Sequence, residues 1–302
     1  MNALVISGGG SKGAFAGGVA EYLIKDCKKD YALFVGTSTG SLLAPFLALG
    51  DIERIKKIYS TIKHEDIFTT SPFVFHVKNG IIHTRINHWG IIRQFFRKQK
   101  TFGNSENLRT LIKKSFTSEN FKQLRVLQKE VIVTVANLTT RTTEYKSSLD
   151  YNYTDFCDWI WASANFIPFM SLLTKNGSDY GDGGFGNLIP VQQALNKGAS
   201  VIDVIVLNPE NIIYRNVQLH NVFDVVTQTF DFMLSQIATD DLLIAKLEST
   251  NLAIEIHFYY THRILTEQAY IFDASQMKQW WKEGYELFKN QKPKSHYLKP
   301  TE

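Results

Sequence analysis

Two short glycine-rich runs, each standing where an apolar segment gives way to a helical one, constrain this chain more than any other feature. Ala3-Leu4-Val5-Ile6 leads into Gly8-Gly9-Gly10-Ser11-Lys12-Gly13, and the apolar run from Ala32 ends in Gly36-Thr37-Ser38-Thr39-Gly40. Glycines at such a junction permit positive φ and close backbone approach. The helix that follows leaves its first N–H groups unpaired, with its dipole favouring negative charge beside them. The first run is therefore an anion site, for either a nucleotide phosphate or a developing oxyanion. A dinucleotide fingerprint also requires an acidic residue closing the second strand, where this chain has Val35-Gly36-Thr37-Ser38. A phosphate-binding P-loop requires Lys and Ser or Thr after the last glycine, where Ala14-Phe15 stand. The second run fits G-x-S-x-G in the strand–turn–helix setting of a nucleophile elbow, in which small neighbours let the chain turn sharply while the Ser38 hydroxyl stays exposed.

Strand-like runs at Ala3 to Ser7, Ala32 to Gly36, Glu130 to Ala136, Thr143 to Ser147, Val201 to Leu207 and Leu252 to Tyr259 alternate with helical patterns. Several are rich in Val and Ile without in/out alternation, as strands covered on both faces must be. The fold class is α/β. Phe15, Val19, Tyr22 and Leu23 recur at helical spacing and predict a crossover helix over Ala14 to Lys25. Pro45 predicts a kink or early break in the helix after Ser38, because it removes a backbone bond to Ser41.

With 44% hydrophobic and 21% charged residues the chain can bury a large core, and it is too apolar to be disordered. Thirty-three basic against 29 acidic residues leave +4, with no basic block of the kind a nucleic-acid partner needs. Cys27 and Cys157 form no metal or redox motif. There is no D-x-D-x-D-G calcium loop, so neither cofactor nor metal is expected. No secretory signal and no apolar run of about 18 residues is evident, which predicts a cytoplasmic protein, with peripheral membrane contact left open.

A nucleophilic serine needs a base. Ser38 comes very early for a triad in which a histidine closes the chain order. His220, His257, His262 and His296 sit in unremarkable surroundings, with His257 alternating with Glu255 and Tyr259 on a strand. The other candidate is Asp182 within Tyr180-Gly181-Asp182-Gly183-Gly184-Phe185-Gly186, readable either as a carboxylate closely approached by backbone or as an ordinary Asp-Gly turn.

Taken together, the chain resembles the patatin-like phospholipases. It is similar to them in the G-G-G-x-K/R-G run at Gly8 to Gly13, in G-x-S-x-G at Gly36 to Gly40, and in D-G-G at Asp182 to Gly184. Trp161-Ala162-Ser163-Ala164-Asn165-Phe166-Ile167-Pro168 is similar to the A-S-x-A…P segment ahead of the aspartate. The resemblance covers about residues 1–210. It implies a three-layer α/β/α sheet and a serine lipid acyl hydrolase of phospholipase A or lysophospholipase type, working through an acyl-enzyme. It further implies Ser38 as nucleophile, Asp182 as base, and an oxyanion hole from the backbone of Gly9, Gly10 and Ser11. Gly8, Lys12, Gly13, Gly36, Gly40, Gly183 and Gly184 would support these, Lys12 by its positive potential. A catalytically silent interaction protein, or a nucleotide-binding module using the Gly8 to Gly13 turn, is the rival reading.

Such an enzyme needs an apolar groove beside Ser38. Residues 88–100 interleave apolar side chains with Arg93, Arg97, Lys98 and Lys100, which suits either an anionic membrane surface or a cap helix with a solvated basic face. Trp280-Trp281 with Tyr285 and Phe288 reads as a helix docking on the domain. The expected organisation is one domain over 1–290, with a helical insertion or cap over about 50–129 and a surface tail over 291–302. Oligomeric state has no sequence signature here.

Overall fold

The apolar runs pair side by side in one nine-stranded sheet. The computed structural model describes residues 1–78, 81–211, 218–219, 221–252 and 254–296. In chain order the elements open with β1 (Asn2–Ile6), α1 (Gly13–Glu21), β2 (Leu33–Thr37), α2 (Thr39–Ala48), α3 (Ile52–Thr61) and α4 (His64–Ile67). A hairpin of β3 (Phe73–Lys78) and β4 (Ile81–Ile86) follows, then α5 (His88–Phe96), α6 (Glu106–Ser115) and α7 (Ser118–Val126). Next come β5 (Glu130–Asn137), β6 (Thr142–Ser147), α8 (Tyr153–Ser163), β7 (Leu173–Lys175), β8 (Ser178–Asp182), α9 (Val191–Asn196) and β9 (Val201–Val206). The chain closes with α10 (Val222–Leu252), β10 (Glu255–Tyr260), α11 (Ala274–Asn290) and β11 (Lys294–His296).

The sheet order is β11-β10-β9-β1-β2-β5-β8-β7, with β6 on the other edge of β5. From β10 to β5 the strands are parallel, as crossovers through helices require. Alternate residues of β1 enter different cores. Leu4 and Ile6 pack with α1, α2, α3, α8 and α11, while Ala3 and Val5 pack with α9 and α10. The result is the three-layer α/β/α arrangement.

Several expectations need correction. The early break at Pro45 does not occur: α2 runs to Ala48, because Phe46, Leu47 and Ala48 are buried and hold the last turn in place. The stretch 50–129, read as helical or loop-like, also holds the β3–β4 hairpin, built from two runs rich in aromatic and β-branched residues. Residues 294–296, read as part of a surface tail, add an antiparallel edge strand to β10. Residues 297–302, residue 253 at the start of the expected last strand, and His220 lie outside the described residues.

The expected docking of Trp280 and Trp281 is seen in α11, where both rings are buried. Trp281 lies against α1 at the Gly17–Gly18 step, where no Cβ stands in its way. Its indole N–H donates to Glu21 at 2.7 Å, and Glu21 also accepts from Lys25 and Lys56. These hydrogen bonds hold the Glu21 carboxyl below its ordinary pKa against the opposing effect of burial, the largest single influence on it. Trp281→Ala removes both packing and the indole donor, and is expected to cost about 3–5 kcal/mol of stability. The check is the denaturant midpoint with the slope unchanged.

Candidate active site

β5 acts as the ruler of the site. Its first half pairs with β2, ending at Thr37↔Thr134, and its second half pairs with β8, starting at Val135↔Asp182. Where β2 ends and turns into α2, β8 takes over the vacated edge of β5. Ser38 and Asp182 therefore arrive side by side from positions 144 residues apart. The Ser38 hydroxyl donates to Asp182 Oδ2 at 2.6 Å.

Ser38 sits at φ 54°, ψ −120°, a left-handed backbone that a side chain tolerates only when its surroundings impose it. Gly36 and Gly40 make the turn possible, since a Cβ on Gly36 would strike the Gly40 carbonyl and one on Gly40 would strike the Ile6 carbonyl. A chain of buried hydrogen bonds fixes the elbow from beneath. Ser38 N–H donates to Ser163 Oγ at 3.1 Å, Ser163 and Ser41 hydroxyls lie 2.7 Å apart, and Ser41 Oγ donates to the Gly36 carbonyl at 2.8 Å. Each hydroxyl has one proton, so Ser163 donates to Ser41. The Ser38 amide is thereby committed to the scaffold.

Asp182 is 4% exposed. Its Oδ1 accepts the Gly184 N–H at 2.8 Å. Burial pushes its carboxyl up to about 6, against the lowering effect of the Ser38 and Gly184 hydrogen bonds. Gly183 continues into the short 3-10 turn Gly183–Phe185. The loop after it is tied down three ways. Thr37 Oγ1 donates to the Asn187 carbonyl, Gly8 N–H donates to the Leu188 carbonyl, and Asp241 Oδ2 of α10 accepts both the Leu188 and Ile189 N–H groups at 2.7 and 2.8 Å.

The glycine turn lies beside Ser38, with Gly10 at φ 55° opening a 3-10 turn Gly10–Lys12 that feeds α1 at Gly13. Among the described residues the Gly9 and Gly10 N–H groups have no backbone acceptor, whereas Ser11 N–H donates to the Ala269 carbonyl at 2.8 Å. Of the three donors expected, two are available and Ser11 is engaged. The Lys12 ammonium donates to Asn208 at 2.9 Å, and burial lowers its pKa to about 8, partly offset by Asp231.

Two cavities meet at Ser38. One runs between α2, α3 and α6 and is lined by Leu42, Phe46, Ile58, Leu111 and Phe116 among other apolar side chains. The other, wider one has Gly8, Gly9, Gly10, Ser38 and Asp182 in its wall. No described histidine lines either one. His257 and His262 instead lie against Glu255 and Glu283, at 3.1 and 3.2 Å. Sequence reasoning gave no role to Ser163, Asn208 or Asp241. Ser163 did carry a signal in its A-S-x-A segment, and Asp241 a weaker one in the Asp240-Asp241 pair within α10.

Comparison with known proteins places these residues in context. The family model for patatin-like phospholipase matches residues 4–195. An uncharacterized protein of Acanthamoeba polyphaga mimivirus is 36% identical over 83 residues, which span 25% of this chain and 22% of that relative. The crystal structure of VipD from Legionella pneumophila aligns with 94% of this chain and 67% of its own at 15% identity, with a TM-score of 0.46.

The buried carboxylate makes a stability prediction. Its folded-state pKa of about 6 stands above the ordinary 3.8, so its contribution is most favourable below pH 4 and is lost as pH rises through 6. Asp182→Asn keeps a group that can accept from Gly184 and removes the buried charge. It is expected to be more stable than wild type at pH 8, by up to about 3 kcal/mol, with the advantage shrinking towards pH 4. Thermal unfolding of both proteins across that range checks it.

Proposed function

The chain belongs to the patatin-like phospholipase family, and from that premise we propose that it is a serine lipid acyl hydrolase of phospholipase A or lysophospholipase type. The observation that carries the reading is the 2.6 Å hydrogen bond from Ser38 to a buried carboxylate at the meeting point of an apolar cavity and a second, wider one. In this reading the acyl chain lies among Leu42, Phe46 and Leu111, with the ester carbonyl over Ser38. Asp182, ionised at neutral pH, accepts the hydroxyl proton as Oγ attacks. The Gly9 and Gly10 N–H groups donate to the oxyanion as charge develops on it, held at the start of α1 so that no reorganisation is needed. Proton return to the leaving alkoxide frees the alcohol and leaves an acyl-enzyme. Water, deprotonated by Asp182, then releases the fatty acid. The Gly184 N–H holds the other carboxylate oxygen, so Oδ2 stays aimed at the reacting hydroxyl.

Contact with a lipid surface belongs to the same proposal. Among the described residues no helix is long and apolar enough to cross a membrane. α5 instead presents Trp89, Phe95 and Phe96 outward, at 83%, 66% and 85% exposure, on a segment that also exposes Arg93, Arg97 and Lys98. Apolar side chains flanked by basic ones suit the interface of an anionic bilayer. Trp89→Ala with Phe96→Ala is expected to weaken sedimentation with phosphatidylglycerol vesicles. Hydrolysis of a soluble ester should continue.

Hydrolysis of p-nitrophenyl butyrate and of a fluorescent phospholipid tests the core reading. Ser38→Ala and Asp182→Asn should each lower kcat by at least about a thousandfold while remaining folded. Wild-type kcat/KM should fall on the acid side with an apparent pKa near 6, because protonated Asp182 cannot accept the Ser38 proton. Full activity in Asp182→Asn, or an inert wild type, would sink the proposal.

A further inference from the structure

The cavity that holds Ser38 and Asp182 has a charged wall for which hydrolysis of a simple ester has no use. Lys12, Asn208, Asp231 and Glu267 all line it. Lys12 has one described hydrogen-bond partner, Asn208, and no carboxylate within ion-pairing distance. Asp231 and Glu267 make no described hydrogen bond or ion pair; burial raises the Asp231 pKa, Lys12 opposes the rise, and Glu267 adds to it. One cation and two anions thus line a single cavity with no hydrogen bond or ion pair among them, Lys12 and Asp231 acting on each other only across the space between, an arrangement costly to keep unless something else enters. The ring of Tyr270 stands within electrostatic reach of Asp231 on the same wall. A carboxylate beside an aromatic ring is a setting that attracts an ammonium group.

Geometry assigns this wall to the leaving group. With the acyl chain in the apolar cavity and the carbonyl at Ser38, the alcohol portion of the ester must enter the wider cavity, past the glycine turn that carries Lys12. We propose that Lys12, Asp231 and Glu267 form a headgroup subsite selecting phospholipids whose phosphate carries an ammonium group. Lys12 meets the phosphate, and Asp231 with Glu267 and Tyr270 meets the cation. Lys12, Asp231 and Glu267 together carry a formal charge of −1, which accepts a zwitterion and opposes a headgroup of net negative charge. Asn208, Asp231, Glu267 and Tyr270 lie beyond the 4–195 stretch that the family model matches, whereas Lys12 lies within it. The inference rests on the acyl-hydrolase reading for its placement of the leaving group.

The test uses short-chain diacyl phospholipids below their critical micelle concentration, so that the basic surface of α5 plays no part. Phosphocholine, phosphoethanolamine and phosphoglycerol esters are compared by kcat/KM, each as a ratio to p-nitrophenyl butyrate. The two zwitterions are expected to exceed phosphoglycerol by about fivefold or more, with the preference shrinking at high salt. Asp231→Asn with Glu267→Gln should bring the ratio towards one, and Asp231→Lys should invert it. Preference for choline over ethanolamine would identify the aromatic ring as the principal partner of the cation, and the reverse order the carboxylates; either order supports the subsite. Equal rates on all three lipids, or a preference that survives the double variant, would overturn it. A binding measurement stands apart from turnover. Calorimetric titration of Ser38→Ala with glycerophosphocholine and glycerophosphoglycerol should show the same order. Selective binding by a protein that hydrolyses no ester would overturn the proposed function and keep the subsite; hydrolysis without selectivity in rate or binding would do the opposite.

Discussion

A single strand edge sets the chemistry of this molecule. β5 offers one edge to two partners in succession, β2 up to Thr134 and β8 from Val135 onward. β2 runs parallel to β5 and β8 antiparallel to it, so the C-terminal ends of both reach the same point, one carrying Ser38 and the other Asp182. The 2.6 Å contact between them follows from backbone register and leaves little to side-chain adjustment. A slip of one residue in either pairing would point that side chain to the other face of the sheet.

The hydroxyls beneath the elbow and the carboxylate beside it are buried but committed. Ser41, Ser163 and Asp182 are all buried, and each has a partner whose position is set by the backbone. Ser38 itself is held in a left-handed conformation by the glycines around it and by Ser163 beneath it. This strain and the cost of the buried carboxylate sit together, which is where a reactive group is expected to be less stable than its surroundings would permit.

Much of this was readable in the residues. The β1 and β2 runs, the crossover helix and both glycine turns appear where their patterns place them, because apolar strands covered on both faces and glycine junctions are local signals. Asp182 was legible only through its glycine neighbours and the resemblance they support. Its pairing partner was not legible: β7 and β8 are short and polar, and Leu173–Lys175 or Ser178–Asp182 carries no periodicity that distinguishes it from a turn. The β3–β4 hairpin did leave a signal, two runs rich in aromatic and β-branched residues around Asn79-Gly80, although those two residues lie outside the described ones. Pro45 misled because its neighbours are buried, and packing outweighs one lost backbone bond. Nor could local pattern show that Ser11 N–H would be engaged by Ala269, 258 residues later, since only tertiary structure brings that loop over the glycine turn.

The later part of the chain is more than a scaffold for the earlier part. α10 carries Asp241, which holds the Leu188–Ile189 backbone, and through the Leu188 carbonyl it also fixes Gly8 at the head of the glycine turn. The same helix carries Asp231 ten residues earlier, about 15 Å along its axis, in the wall of the cavity at Ser38. One rigid element therefore touches both the backbone beside Ser38 and Asp182 and the charged wall of the cavity they share. A shift in how α10 docks would move the two together, so the cavity wall cannot be reshaped through this helix without disturbing Gly8. Individual side chains on its cavity face can change without that penalty, and selectivity can vary there while the geometry between Ser38 and Asp182 stays as β5 sets it.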